Sequence, residues 1–271
     1  MITDLWVRGN IITQIAAQHT LDKYKHLLKW KNNETILEFG AADGKTSVNA
    51  VLPALPKDYK EYVLTDVSHG MVEYMKKNLN IPRSKIMQHD IATVKLQDEF
   101  KNKFDHIFGI WVMHMVPNPR QGFININKML KPGGQAFVSF GEVTPTDPAF
   151  HNLLKNPKWS RYGHMLSPHY YSDNIEESYK KDINAAGFKS YQFHVEKDYQ
   201  AFFESRERLM THFTAINNVL PRIPEDLKDE YLRDYYKEIE SSGQILYIER
   251  DGQQIPYVNA KLFIVVMNKH E

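Results

Sequence analysis

Three carboxylates and two glycines carry the chemistry that the sequence advertises. Glu38, Gly40 and Gly44 stand at an acid-x-Gly-x-x-x-Gly spacing, directly after the apolar run Thr35, Ile36, Leu37. A turn from a buried strand into a helix leaves backbone N–H groups free at the helix start, and Gly40 removes the side chain that would hold a ligand away. Asp66 closes the next extended stretch and Asp90 the one after it. A carboxylate fixed at a strand end accepts two hydrogen bonds from vicinal ribose hydroxyls, the role that falls to Asp66. Asp90 is suited to accept from an exocyclic adenine amine, with Ile91 packing on the ring. Each acid alone reads as a cap or surface residue, whereas the ordered set of three reads as a nucleoside site.

Those residues need an open sheet to hold them. Segments 34–39, 61–66, 85–90, 104–110 and 135–140 read as strands. Between them, helices are expected over 47–52, stopped by Pro53 and Pro56, over 71–79 with Ser68 as N-cap, and over 120–130, stopped by Pro132 and Gly133. That alternation means right-handed crossovers and a parallel, doubly wound sheet, with ligands outside the carboxyl ends of the strands. Past residue 140 the rhythm breaks into a helical stretch from 144, a helix over 174–186 ended by Gly187, a strand over 188–195, and helices over 205–219 and 225–241. A last strand, 260–267, is apolar on both faces and therefore central. Residues 10–30 read as helical, with Ile11, Ile12, Ile15 and Ala16 on the apolar stripe, either as one helix or as two broken near His19 and Thr20. Gln14 lies beside that stripe and by spacing alone reads as a surface amide. The expected fold is α/β: a Rossmann-like, seven-stranded, mostly parallel sheet with helices on both faces and an added helical substrate-binding cap. One domain over 1–271 is expected, with a cofactor-binding core at 30–142 and cap elements at 1–29, 143–173 and 200–243.

Bulk composition excludes several classes. Lys+Arg 34 against Asp+Glu 33 leaves a formal charge of +1, so there is no electrostatic case for nucleic acid or an acidic membrane. The absence of cysteine removes disulfides, thiolate nucleophiles and cysteine-bearing zinc sites together. His164 and His169 are too isolated to argue for a metal, and none is expected. Asp4 and Arg8 break the N-terminal stretch, which reads as neither signal peptide nor membrane span. A cytoplasmic location is expected, and a homodimer is compatible with the sequence.

The nearest rival for the ligand is a dinucleotide, which uses the same fold and an acid after the second strand. It would show Gly-x-Gly-x-x-Gly, whereas this chain has Gly40-Ala-Ala-Asp-Gly44 and no phosphate-loop lysine. The acid-glycine spacing followed by two strand-end acids is instead the signature of an S-adenosyl-L-methionine site, with S-adenosyl-L-homocysteine as product. The expected donor contacts are Glu38, Gly40, Ala41, Gly44, Asp66, Val67, Asp90, Ile91 and Ile110.

Longer stretches carry a more specific likeness: 37–44, Thr65 to Ser68 with Met71 and Val72, Asp90-Ile91, 104–108, Lys158-Trp159, 167–169, 185–188, and 215–217 with Ile223-Pro224. In these the chain resembles the insect juvenile hormone acid O-methyltransferases, within the class I methyltransferases. The resemblance implies a small apolar carboxylic acid as substrate, its carboxylate held by a glutamine, matched by Gln14, and by residues after the fourth strand. His114 matches the histidine of the family's Leu-His-Trp sequence, but the tryptophan that follows there is Met115 here, which removes a ring N–H and a flat wall. Trp111 is the candidate to supply that wall, and a core role for it is equally open. The family's Gly-Cys is Gly40-Ala41, compatible with the same turn. Trp159, Tyr162, Phe213 and Ile216 are candidates to line an apolar tunnel for an isoprenoid-like chain, with plain core packing as the alternative. On this reading Gln14 and His114 orient the carboxylate of a juvenile hormone acid, farnesoic acid or related long-chain acid. Two rivals stand beside it: a hydroxyl or amine acceptor with His114 as general base, and a ligand-binding protein of the same fold without turnover.

Overall fold

The computed structural model describes residues 2–10 and 12–270, so the stripe position Ile11 lies outside the described residues. The strands are β1 (Thr35–Phe39), β2 (Glu61–Asp66), β3 (Ser84–Gln88), β4 (Phe104–Ile110), β5 (Leu130–Gly141), β6 (Ser190–Phe202), β7 (Ile245–Arg250) and β8 (Gln253–Asn268). They form one sheet in the order β3-β2-β1-β4-β5-β8-β6, with β7 paired to β8. Strands β1 to β5 pair in parallel, and β8 runs antiparallel to β5. The chain starts in the middle at β1, moves outward to β3, then returns to β4 on the other side of β1. That reversal places the switch point between β1 and β4, where an open α/β sheet binds its ligand. All five residues of β1 are buried, as a strand covered on both faces must be. β1 and β4 approach closely because residue 109 is glycine: a Cβ there would stand 2.1 Å from the Phe39 ring.

The helices are α1 (Thr3–Gly9), α2 (Ile12–Tyr24), α3 (Leu52–Ala54), α4 (His69–Asn78), α5 (Pro119–Met129), α6 (Thr146–Lys155), α7 (Pro157–Ser160), α8 (Ile175–Ala185), α9 (Arg206–Ala215) and α10 (Lys228–Glu240). The starts of α4, α5 and α8 carry side-chain caps: Ser68, Asn118 and Asn174 accept from the N–H groups of Met71, Gln121 and Glu177. Gly187 follows α8 at φ +91°, the left-handed stop its type favours.

The chain divides into two compact units. Unit 2 comprises 13–142, 171–195 and 262–271, and unit 1 comprises 1–12, 143–170 and 196–261. In unit 2, Leu37, Phe39, Ile107, Phe123, Tyr179 and Phe263 belong to one apolar core, and α5 packs on α8. In unit 1, α1 packs on α9 and α6 on α10. A buried carboxylate ties its first loop together: Asp147 accepts from the Thr144 N–H at 2.8 Å and from the Ser167 N–H and hydroxyl at 2.6 and 2.9 Å. The expected cap segments 143–173 and 200–243 fall mainly in unit 1, whereas 13–29 fall in unit 2. Among the described residues no helix is long and apolar enough to cross a membrane.

Several expectations are corrected. The sheet has eight strands rather than seven, because β7 and β8 form a hairpin over a turn at Asp251 (φ +52°) and Gly252 (φ +73°). Of the two readings left open at His19 and Thr20, the unbroken one holds in α2, the Thr20 hydroxyl donating back to the Ala16 carbonyl at 2.9 Å. Ile15, placed on the apolar stripe by spacing, is 47% exposed. Pro53 does not stop the helix, which runs on through Leu52–Ala54 directly from a π-helical turn over Ser47–Val51.

Candidate active site

The expected cradle is built by the parallel register of β1 and β2, which sets Phe39 opposite Thr65. Two residues on, the Ala41 N–H donates to the Thr65 carbonyl at 3.0 Å, and the next N–H, of Ala42, to Asp66 Oδ2 at 2.9 Å. The other carboxylate oxygen of Asp66 accepts from the Ser68 N–H at 2.8 Å. Two backbone donors thus hold Asp66 in one orientation, and each oxygen keeps a second lone pair for a ligand hydroxyl. Burial pushes its carboxyl pKa up, while the Ser68 and Ala42 N–H groups pull it down. Gly40, Ala42 and Gly44 all have positive φ, at +69°, +51° and +76°, so the turn winds left-handed at alternate residues. Val67, next to Asp66, leaves 64% of its surface exposed, a free apolar face beside that carboxylate. A held carboxylate, a glycine-lined turn and an adjoining apolar surface fit a nucleoside with an amino-acid tail.

Glu38 faces inward. It is 1% exposed, and the Tyr62 hydroxyl donates to its Oε2. Burial raises its pKa to about 7 against the opposing pull of Tyr62. A carboxyl whose folded pKa lies above its unfolded value of 4.5 adds stability that is complete below the unfolded pKa and is lost as pH rises towards 7. Glu38→Gln cannot ionise, so its stability relative to the parent should rise by about 3 kcal/mol between pH 5 and pH 8. Urea denaturation at the two pH values measures this, and a constant difference would mean that Glu38 is ionised throughout.

At the third strand the expected donor contacts are less enclosed. β3 stops at Gln88, the His89 N–H donates to the Asp66 carbonyl at 3.1 Å, and Asp90 opens a turn in which its Oδ1 accepts from the Ala92 N–H at 2.9 Å. Asp90 is exposed and Ile91 buried. Asn125, buried on α5, was not singled out by the sequence, yet its amide donates to the carbonyls of Ile91 and Thr93 at 2.7 and 2.8 Å and fixes this loop.

The loop after β4 meets the cradle directly. Ile110 is buried at the strand end. Trp111 takes φ +54°, with its N–H donated to the Ser139 carbonyl of β5 at 2.7 Å. Val112 lies against Gly40, where an added Cβ would stand 2.4 Å from its Cγ2. His114 is 5% exposed, its ring edge-on to Trp111 at 5.6 Å. Its Nδ1 is buried with no hydrogen-bond partner among the described residues, and burial lowers the ring pKa to about 4. Met115 is half-buried. Gln14 on α2 meets the helical turn that follows the cradle, where its Oε1 accepts from Asn49 Nδ2 at 2.8 Å. Next to it, the hydroxyls of Thr13 and Thr46 lie 3.4 Å apart.

The remaining substrate candidates belong to unit 1. Trp159 is fully buried, its indole N–H donated to Asp234 at 2.7 Å and its ring edge-on to Tyr231. That is the packing of a core residue. Phe213 is buried against His212 and Phe203, and its carbonyl accepts from the Tyr235 hydroxyl at 3.0 Å. Ile216 is half-buried where α9 ends, and Tyr162 is half-buried past α7.

Residues 37–136 match the family model of a methyltransferase domain. The chain is 29% identical to the juvenile hormone acid O-methyltransferase of Drosophila melanogaster over 240 residues, 85% of this chain and 80% of that one. It is 26% identical to the protein of the same name from Bombyx mori, over 86% of this chain and 84% of that one. The chain is a class I S-adenosylmethionine-dependent methyltransferase. Over most of its length it is similar to the juvenile hormone acid O-methyltransferases. Among solved structures, a Bacillus halodurans C-125 protein of proposed methyltransferase function superposes at TM-score 0.59 with 17% identity, over 93% of this chain and all of that one. Phosphoethanolamine N-methyltransferase 2 of Haemonchus contortus, solved with S-adenosyl-L-methionine, superposes at 0.52 with 14% identity, over 99% of this chain and 60% of that one. These structures share the methyltransferase's fold, and its methyl donor is S-adenosyl-L-methionine.

Proposed function

We propose that this methyltransferase esterifies the carboxylate of a small, long-chain apolar acid of the juvenile hormone acid or farnesoic acid kind. The observation that carries the reading is the state of His114. A buried imidazole with a pKa near 4 is neutral throughout the physiological range and is a poor base for a hydroxyl or ammonium proton. A carboxylate arrives already ionised and asks for no base. When bound, S-adenosyl-L-methionine supplies a methyl group activated by its sulfonium centre. The chain's own task is to hold one acceptor oxygen in line, away from water. Gln14 suits it: with Oε1 engaged by Asn49, the amide is oriented and Nε2 is defined as its donor end. The names of the two insect relatives point to the same acceptor class.

Gln14→Ala should lower kcat/KM for the acid by about 10-fold or more, with the affinity for the donor unchanged. Full turnover in that variant would remove Gln14 from the carboxylate. At saturating donor and acid, kcat should stay flat from pH 6 to pH 8, because His114 does not titrate there. A rise centred near the ordinary imidazole pKa, about 6.5, would restore the general-base reading and with it a hydroxyl or amine acceptor.

A further inference from the structure

Trp111 combines a left-handed backbone with a side chain that is only half-buried. A bulky side chain at φ +54° is strained, and such strain persists where surrounding structure holds it and clusters at ligand sites. Here the hold is the 2.7 Å bond from the Trp111 N–H to Ser139 on one side and the seat of Val112 against Gly40 on the other. Glycine would satisfy that backbone without strain, so the indole itself is what the position retains. The residue is half-buried just past the carboxyl end of β4, the edge of the sheet where ligands bind. Its indole N–H meets no acceptor among the described residues, whereas the indole of Trp159 is bonded to Asp234. Edge-on to it, with ring centroids 5.6 Å apart, lies His114, whose buried Nδ1 has no partner among the described residues. An unused N–H donor on a flat apolar ring, next to the donor cradle, is suited to a group that is anionic at one end and apolar behind it.

We propose that Trp111 grips the acceptor, its indole N–H donating to one carboxylate oxygen and its ring walling the first carbons of the chain. This rests on the carboxyl-methylation reading and assigns to Trp111 the discrimination between an acid and the matching alcohol. Titration calorimetry of the S-adenosylhomocysteine-loaded enzyme with farnesoic acid and with farnesol tests it. Trp111→Phe, which keeps a ring and loses the N–H, should weaken farnesoic acid by about 10-fold or more while farnesol changes less than about 2-fold. Trp111→Gly should keep the melting temperature and the affinity for S-adenosylhomocysteine, its backbone being at ease at that φ, and lose both farnesoic acid and farnesol. A Trp111→Phe enzyme that binds the acid as the parent does overturns the proposal and leaves carboxyl methylation standing. So does a parallel loss of both ligands together with a lower melting temperature, the mark of a packing role. A parent enzyme that binds no acid overturns the carboxyl reading and this one with it.

Discussion

Asp66→Ala should abolish measurable binding of S-adenosylhomocysteine and lower the stability of the chain by about 2–4 kcal/mol. The two losses have separate causes. In the free protein the carboxylate accepts from the Ala42 and Ser68 N–H groups, and alanine strands both, at about 1–3 kcal/mol each. Towards the ligand, alanine also removes the anion expected to take two ribose hydroxyls, each such bond being worth about 1.5–3 kcal/mol, so the affinity should fall by about 100-fold or more. Asp66→Asn separates the terms: its one carbonyl oxygen still accepts from one N–H, but its NH2 group confronts the other. That variant should melt between parent and alanine and still bind the nucleoside poorly. Calorimetric titration with S-adenosylhomocysteine and urea denaturation measure the two effects, and an unchanged affinity in Asp66→Ala would remove this residue from the donor site.

Gly40→Ala should disable both halves of the site at once. The added Cβ stands 2.4 Å from Val112 Cγ2 and 3.0 Å from Val112 Cβ, at φ +69°, where an L side chain is strained by a further 1–2 kcal/mol or so. The turn is bonded through Ala41 and Ala42 to β2, so the loop bearing Val112 is the part that yields. Its neighbours Trp111 and His114 would be displaced with it, so affinity for donor and acceptor should fall together. Val112→Ala in the same chain removes the Cγ atoms and should recover about 1–3 kcal/mol, the φ cost remaining. A double-mutant cycle in urea reads that coupling. Strict additivity would mean that Gly40 and Val112 do not meet in solution.

The glycine turn, the strand-end acids and the Ser68 cap were legible because each is a short-range signal: a residue type at a fixed offset within one strand, turn or helix start. The β7–β8 hairpin had such a signal in Asp251 and Gly252, the pair that a two-residue hairpin turn favours, flanked by β-forming runs. Pro256 and the charged end of β7 weaken the strand pattern around it. Other features depend on where distant segments land. Nothing near Gly40 in the chain announces Val112, and nothing near Glu38 announces the Tyr62 hydroxyl, since parallel register alone sets Glu38 beside Leu64 and brings Tyr62 onto the same face two residues away. Asn125 is a polar residue on a helix whose one-sided pattern is otherwise ordinary, and only the fold shows that it clamps the turn after Asp90. The left-handed backbone at Trp111 has no signal, because tryptophan is the wrong residue for it.

The central claim is that an acid is the acceptor. Its most direct test is incubation of the purified enzyme with methyl-labelled S-adenosyl-L-methionine and, separately, farnesoic acid, a juvenile hormone acid, a saturated fatty acid, farnesol and a long-chain amine, each product being identified after alkaline hydrolysis. The expected result is label in base-labile methyl esters of one or more of the acids, with none on farnesol or the amine. Label in a base-stable ether or amine, or tight binding of the donor with no transfer to any acid, would contradict it.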